Sequence, residues 1–229
     1  MNIGHVEKIK QIQTELNRIE FRVDIDGIMG PDTLGKILTA LTSIPTIEKK
    51  EPEVQLRKLC WGVKVSDDFK KRVIQIADKL LLPKEGADWL MACMAFESGR
   101  TFSANVRNKL SGATGLIQFM PTTAGLLGTT TQELAGMTPL RQLDYVEKYL
   151  TPYKGRITNI DDLYMTILWP AAVGKPDAYP LWVNELRHPK AYIQNAGLDR
   201  NKDGIVEKRE AASKVRDIHK EGLEDKNYG

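Results

Sequence analysis

The segment "MACMAFESGR", Met91 to Arg100, puts a carboxylate where a carboxylate is costly. Glu97 follows the apolar run Leu90 to Phe96, seven residues after Leu90 and three or four after Met94 and Cys93. That spacing sets it on the face of a helix that packs inward. Ser98-Gly99 then closes the helix, so Glu97 also sits at the negative end of the helix dipole. Burial and the helix end both penalise the ionised form and raise the pKa. A carboxylic acid that keeps its proton near neutral pH is what protonation of a glycosidic leaving oxygen requires. The plainer alternative is a frayed helix end with Glu97 in solvent.

A second constellation lies at residues 199–210, "DRNKDGIVEKRE". Asp199, Asn201 and Asp203 stand at positions one, three and five, Gly204 at six and Glu210 at twelve. Ile205 offers a carbonyl at seven, and Glu207 at nine reaches an ion through water. The donors are all hard oxygens, which suit Ca2+. The pattern resembles an EF-hand loop. The preceding "HPKAYIQNAG" is too short for a good entering helix, so a lone or dockerin-like half-site that braces the fold is expected. A solvated acidic turn is the alternative.

The elements that must carry these groups are mostly helical. Ile9, Ile12, Leu16 and Ile19 recur at helical spacing, and after "DIDGIMGPDT" so do Leu34, Ile37, Leu38 and Leu41. Both sets are read as buried faces of two short helices around an Asp26-Gly27 turn, with Pro31 opening the second. "PTIEKKEPE", Pro45 to Glu53, breaks the periodicity and reads as a linker. Ser66 caps a helix whose inner stripe is Phe69, Val73, Ile76 and Leu80, and Pro83 follows its end. "SGATGLIQFMPTTAG" predicts a short hairpin or extended loop. Further helices are predicted over Pro139–Leu150, Asp161–Leu168 and about Glu207–Ile218. Strands are few, and the fold class is mainly α.

"FES" with "GATGLIQFMPTTA" resembles the lysozyme-like transglycosylase family, whose pattern is an E-S pair followed by GA-x-GL-[MI]-Q-x-MP-x-TA. Gly112, Ala113, Gly115, Leu116, Gln118, Met120, Pro121, Thr123 and Ala124 match it. The resemblance covers roughly residues 66–173. It implies a lysozyme-like catalytic domain, mainly α with a small β part, in which Glu97 is the acid. It also implies that the segment from Gly112 to Met120 forms the lip of a glycan cleft, with Gln118 holding the sugar chain. The family's serine three residues before the GA pair is Lys109 here, and Ser111 is the candidate substitute. The family's A-Y-N-A-G appears as "LWPAAVG", with Trp169 in the tyrosine's place. Tyr145 and Tyr164 are rival sugar contacts, each equally readable as a core aromatic.

Ordinary glycosidases use two carboxylates. Residues 98–132 contain neither Asp nor Glu. This favours one acid working twice, as in a lytic transglycosylase that leaves a 1,6-anhydroMurNAc end. Glu133, Asp144, Asp161 or Asp162 folding back into the cleft would restore the hydrolytic, muramidase alternative.

The first 45 residues resemble a peptidoglycan-binding domain, DG-x-x-G-x-x-T between two helices, through Asp26, Gly27, Gly30 and Thr33. A calcium loop starting at Asp24 is disfavoured, because Gly35 stands where its last acid belongs. The expected organisation is a wall anchor at 1–45, a linker at 46–58 and a catalytic domain at 59–229. The net charge of +3 suits an anionic polymer, and no basic cluster interleaved with aromatics points to nucleic acid. The N-terminus lacks the apolar centre of a signal peptide, and no stretch is long enough to span a membrane. Cys60 and Cys93 read as two buried, reduced thiols.

Together these features resemble a phage endolysin, monomeric and made in the host cytoplasm, that acts on periplasmic peptidoglycan after release through a membrane pore. A virion-borne entry lysin and a non-catalytic, calcium-stabilised wall-binding protein are the rivals.

Overall fold

The computed structural model describes residues 3–18, 21–43, 56–184 and 188–229. The chain divides into two compact units, Met1–Glu53 and Val54–Gly229. In the first, α1 (Ile3–Arg18) and α2 (Pro31–Ser43) flank an extended connection. Pro31 opens α2 with Asp32 in its first turn, as residues at a positive helix end should. Leu16 and Ala40 are buried, and so are Gln13, Gly27 and Thr33. The expected apolar faces hold only in part. Ile12, Leu34 and Leu38 are exposed, while Ile9 and Ile37 are half-buried. Two short helices cannot enclose both stripes, and the interior is closed by hydrogen bonds to Gln13 instead. Ile19, the side chain of Leu41 and the linker Pro45 to Glu53 lie outside the described residues.

The second unit reaches further back than residue 59. Arg57 donates to Asp88 Oδ2 at 2.9 Å and to the Lys84 carbonyl at 3.0 Å. Ser66 Oγ caps α3 (Asp67–Lys79) by accepting the Phe69 N–H, and Phe69, Val73, Ile76 and Leu80 are all buried, as expected. Next comes α4 (Gly86–Glu97), apolar on nearly every face, with Leu90 through Ala95 almost fully covered. A helix of that composition belongs inside a domain. Three further short helices follow: α5 (Pro121–Leu126), α6 (Thr131–Ala135) and α7 (Pro139–Leu150). The remainder is α8 (Ile160–Leu168), strand β1 (Pro180–Val183), α9 (Pro189–Asn195), strand β2 (Ile205–Glu207) and α10 (Lys208–Gly222).

Helices α3, α8 and α10 pack around α4, so Glu97 emerges from the centre of the unit. The two strands pair antiparallel, Trp182 opposite Val206 and Val183 opposite Ile205. This ties the 199–210 loop to the chain that follows α8. The ends of the unit also meet: the Leu59 N–H donates to the Gly229 carbonyl at 2.9 Å, and the Gly229 N–H to the Leu59 carbonyl at 3.3 Å. Cys60 and Cys93 are buried and free. Among the described residues no helix is long and apolar enough to cross a membrane.

Candidate active site

Glu97 is half-buried at the last position of α4. Burial alone pushes its carboxyl up to about 7, and no hydrogen bond or ion pair reaches it among the described residues. The chain after it is locked. Ser98 Oγ donates to the Met94 carbonyl at 2.6 Å and accepts the Phe102 N–H at 3.0 Å. Gly99, Arg100 and Phe102 all take left-handed backbone conformations, at φ of 61°, 67° and 52°. Only glycine does this without strain, so the turn is held by its bonds rather than by local preference. Arg100 is anchored to Glu221 of α10 and lies over the Trp61 ring.

The hairpin-like loop is built as expected as far as Met120, from bridges joining Arg107 to Thr114 and Thr114 to Phe119, but residues 121–125 of the same segment are helical, in α5, which Pro121 opens at its first position. Its organiser is a residue that sequence reasoning missed. Gln142 of α7 is fully buried; its Oε1 accepts the Leu116 N–H at 2.7 Å, and its Nε2 donates to the Ala104 and Leu134 carbonyls. Gly115 has φ of +87°, and a Cβ there would lie 2.3 Å from the Gln142 amide. The glycine is required by both conformation and space. Gln142 is a polar residue on the same helix face as Leu143, Val146 and Leu150, all buried, and that position was the available signal.

Two aromatic contacts frame the acid. Phe96 meets Tyr164 of α8 edge-on, with centroids 5.5 Å apart. Tyr149 of α7, also unforeseen, donates to the Thr166 carbonyl at 2.5 Å and meets Phe119 edge-on at 6.2 Å. Burial, and then neighbouring negative charge that includes Glu97, push the Tyr149 phenol up to about 12 and Tyr164 higher still. Tyr149 lines a small depression with Gln118, Met120, Thr123 and Ile167. Gln118, with φ of 52°, folds its amide back onto the Val106 and Gly115 carbonyls, so in this conformation its N–H groups brace the lip.

The other expected sugar contacts are dispersed. Tyr164 is buried and packed on Phe96, which leaves no ring face for a sugar; this corrects the expectation. Tyr145 is half-buried with the Lys148 ammonium over its ring. Trp169 packs against Trp182 and His188, its indole N–H buried without an acceptor among the described residues. Ser111 is exposed on the lip, and its Oγ accepts the Ala113 N–H at 3.3 Å.

The carboxylates that might have joined Glu97 are committed elsewhere. Glu133 closes a capping box with Thr130 and is held low by the Thr129 hydroxyl and then by the Thr130 N–H and hydroxyl. Asp144 pairs with Arg72 and Arg141, and Asp161 with Arg216. Asp162 meets the buried Lys208 ammonium at 2.6 Å.

In the first unit, Gln13 Nε2 donates to Asp26 Oδ1, the Ile28 carbonyl and Thr33 Oγ1, while Gln13 Oε1 accepts the Gly27 N–H. Gly27 has φ of +77°, and a Cβ there would meet Val6 at 2.6 Å. Asp26, Gly27 and Thr33 therefore hold the turn itself, and Gly30 has open space around its α-carbon.

The 199–210 loop is ordered by its own acids. Asp199 accepts the Lys202 and Gly204 N–H groups and the Tyr192 hydroxyl. Glu210 accepts those of Arg200, Asn201 and Glu207. Asn201 and Asp203 bond to each other, Ile205 lies in β2, and Glu207 pairs with Arg209. Among the described residues no group of three or more His, Cys, Asp or Glu side chains converges as a metal centre requires. The donor chemistry of the loop fits Ca2+. The entering segment is short, as expected: seven residues of α9 and a 3-10 turn.

Compared with models of known protein families, the chain matches none, and curated proteins give no match either.

Proposed function

We propose that this chain cleaves the β-1,4 bond between MurNAc and GlcNAc of peptidoglycan as a lytic transglycosylase, serving as a phage endolysin. One observation carries the reading: Glu97 is a lone carboxyl, pushed up to about 7 by burial, while Glu133, Asp144, Asp161 and Asp162 are engaged elsewhere. Glu97 gives its proton to the glycosidic oxygen as that bond breaks. The substrate's own N-acetyl group stabilises the cation that develops. Glu97, now a carboxylate, takes the proton of the MurNAc 6-hydroxyl, whose oxygen closes the 1,6-anhydro ring. The proton balance returns Glu97 to its starting state, and no water is consumed.

Mass spectrometry of the fragments released from purified peptidoglycan tests this. Products ending in 1,6-anhydroMurNAc, lighter by one water than reducing ends, are expected. Reducing ends would replace the lyase with a hydrolytic muramidase.

Under this reading the first unit anchors the enzyme to its insoluble substrate, which raises the effective concentration of bonds. Asp199, Asn201, Asp203, Glu210 and the Ile205 carbonyl would hold Ca2+, with Glu207 reaching it through water. The ion supplies positive charge that neutralises the loop's acids. Addition of Ca2+ should raise the melting temperature relative to chelator; equal values would remove calcium from the proposal.

A further inference from the structure

Arg100 is the cation nearest to Glu97 along the chain, three residues on, yet burial is the only influence on the Glu97 carboxyl. The backbone brings the two residues close. Helix α4 ends in a Schellman motif: the Gly99 N–H donates to the Phe96 carbonyl at 3.2 Å, and the Arg100 N–H returns to the Ala95 carbonyl at 2.6 Å. Arg100 is thereby folded back against the last turn of α4, the turn that carries Glu97. On such a turn, side chains three or four residues apart are neighbours.

The Arg100 side chain is nevertheless held elsewhere. Its Nη2 donates to Glu221 Oε2 at 2.6 Å, and its Nε to both Glu221 oxygens at 3.2 Å. The guanidinium also lies 5.7 Å from the centroid of the Trp61 ring. Trp61 and Glu221 share one frame. The Trp61 indole N–H donates to the Ile218 carbonyl at 3.0 Å and its backbone N–H to the Gly222 carbonyl at 3.1 Å, on either side of Glu221 in α10. The side chains of the pair are 46% and 36% exposed, so it adds little to stability. What it fixes is the place of a charge.

Other groups on the elements around α4 are engaged with one another. Arg72 and Lys79 of α3 pair with Glu147, and Lys208 and Arg216 of α10 with Asp162 and Asp161 of α8. Lys214 and Lys220 of α10 are exposed, and His219, held low by burial, faces Asp88. Three titratable groups sense the Glu97 charge: Cys93 on its own helix, Tyr164 on α8 and Tyr149 on α7. Burial pushes all three up, so each is neutral where Glu97 titrates.

We propose that Glu221 is a positioning residue, which holds the Arg100 guanidinium on α10 and so keeps Glu97 without a cation partner. This deepens the glycan-cleaving reading and rests on it. A guanidinium released onto Glu97 stabilises the carboxylate and favours loss of the proton that the reaction needs.

The test is a carboxyl titration of the full-length chain, by NMR on protein isotopically labelled at the glutamate carboxyls. The Glu97 signal is assigned by its absence in Glu97→Gln, and glycan cleavage is followed over the same pH range. In Glu221→Gln the Glu97 midpoint should move down by about one pH unit, and the alkaline fall of the rate should move with it. Glu221→Asp keeps the charge and should keep the wild-type midpoint. So should R100Q and R100Q/E221Q, which have no cation to release. An unchanged midpoint in Glu221→Gln would overturn the proposal. An equal shift in R100Q/E221Q would also overturn it, because Glu221 would then tether the turn rather than hold a charge. R100Q keeps the proposal testable even if Glu221→Gln does not fold: a midpoint that rises there means that Arg100 already acts on Glu97 in the wild type, against the proposal. Failure of the underlying reading looks different: the midpoints move as expected, while Glu97→Gln cuts glycan as fast as wild type.

Discussion

Glu97 and Asp162 are carboxylates on two helices, α4 and α8, that pack against each other in one core, and their surroundings treat them oppositely. Burial pushes both up. At Asp162 the Lys208 ammonium, the Gly174 N–H and the Thr158 hydroxyl outweigh that burial and hold the carboxyl below its ordinary value. At Glu97 nothing among the described residues opposes it, and the carboxyl rises to about 7. The same functional group is held as an anion in one place and keeps its proton to near neutral pH in the other. The difference lies in the partners supplied by distant segments, since Lys208 is 46 residues from Asp162 in sequence.

The contrast predicts unequal consequences when each acid is disturbed. Glu97→Gln keeps the shape but has no proton to give, and glycan cleavage should fall about a thousandfold. A rate within ten-fold of wild type would break the comparison. The wild-type rate should also decline roughly ten-fold per pH unit above about 7, because the protonated form is the active one. Lys208→Met leaves Asp162 buried without its countercharge and should cost about 3–5 kcal/mol of stability in a denaturant titration. The double variant Asp162→Asn/Lys208→Met should recover part of that loss.

The smallest effect is the most diagnostic. A buried acid with a raised pKa penalises folding once it must ionise. The penalty is absent below about 4.5, accumulates between 4.5 and 7, and is complete above 7. Glu97→Gln, inactive, should therefore be more stable than wild type at pH 8 by about 2–3 kcal/mol, and the gain should vanish near pH 4. Equal melting temperatures at pH 8 would mean that Glu97 is not strained.

Much of the second unit was legible because its helices are amphipathic or wholly apolar. Phe69, Val73, Ile76 and Leu80 line α3 as their spacing implied, and α7 runs over Pro139–Leu150 as predicted. Periodicity failed where polar side chains do the work of a core. Gln13 and Gln142 are buried because they satisfy backbone groups across a turn, which a pattern that counts glutamine as surface cannot register. Leu34 and Leu38 failed for the complementary reason, since an apolar stripe is buried only where something covers it. Strand β1 is four residues long and exists through its pairing with β2, a long-range contact. At the candidate site, the placement of Glu97 was readable from its own helix. Its isolation was not, because that depends on pairs such as Arg72 with Asp144, 72 residues apart.

The paired backbone of Leu59 and Gly229 has a consequence for the topology of the second unit. Its path returns on itself, with the segment around Leu59 held beside Gly229. A circular permutant that joins the chain before Arg57 to the chain at Gly229 with a short flexible linker and opens it instead at Leu110, the fully exposed tip of the lip, should keep the core's internal hydrogen bonds, Arg57 to Asp88 among them. It would begin and end beside the proposed cleft, where a fused binding module could be delivered directly to the glycan.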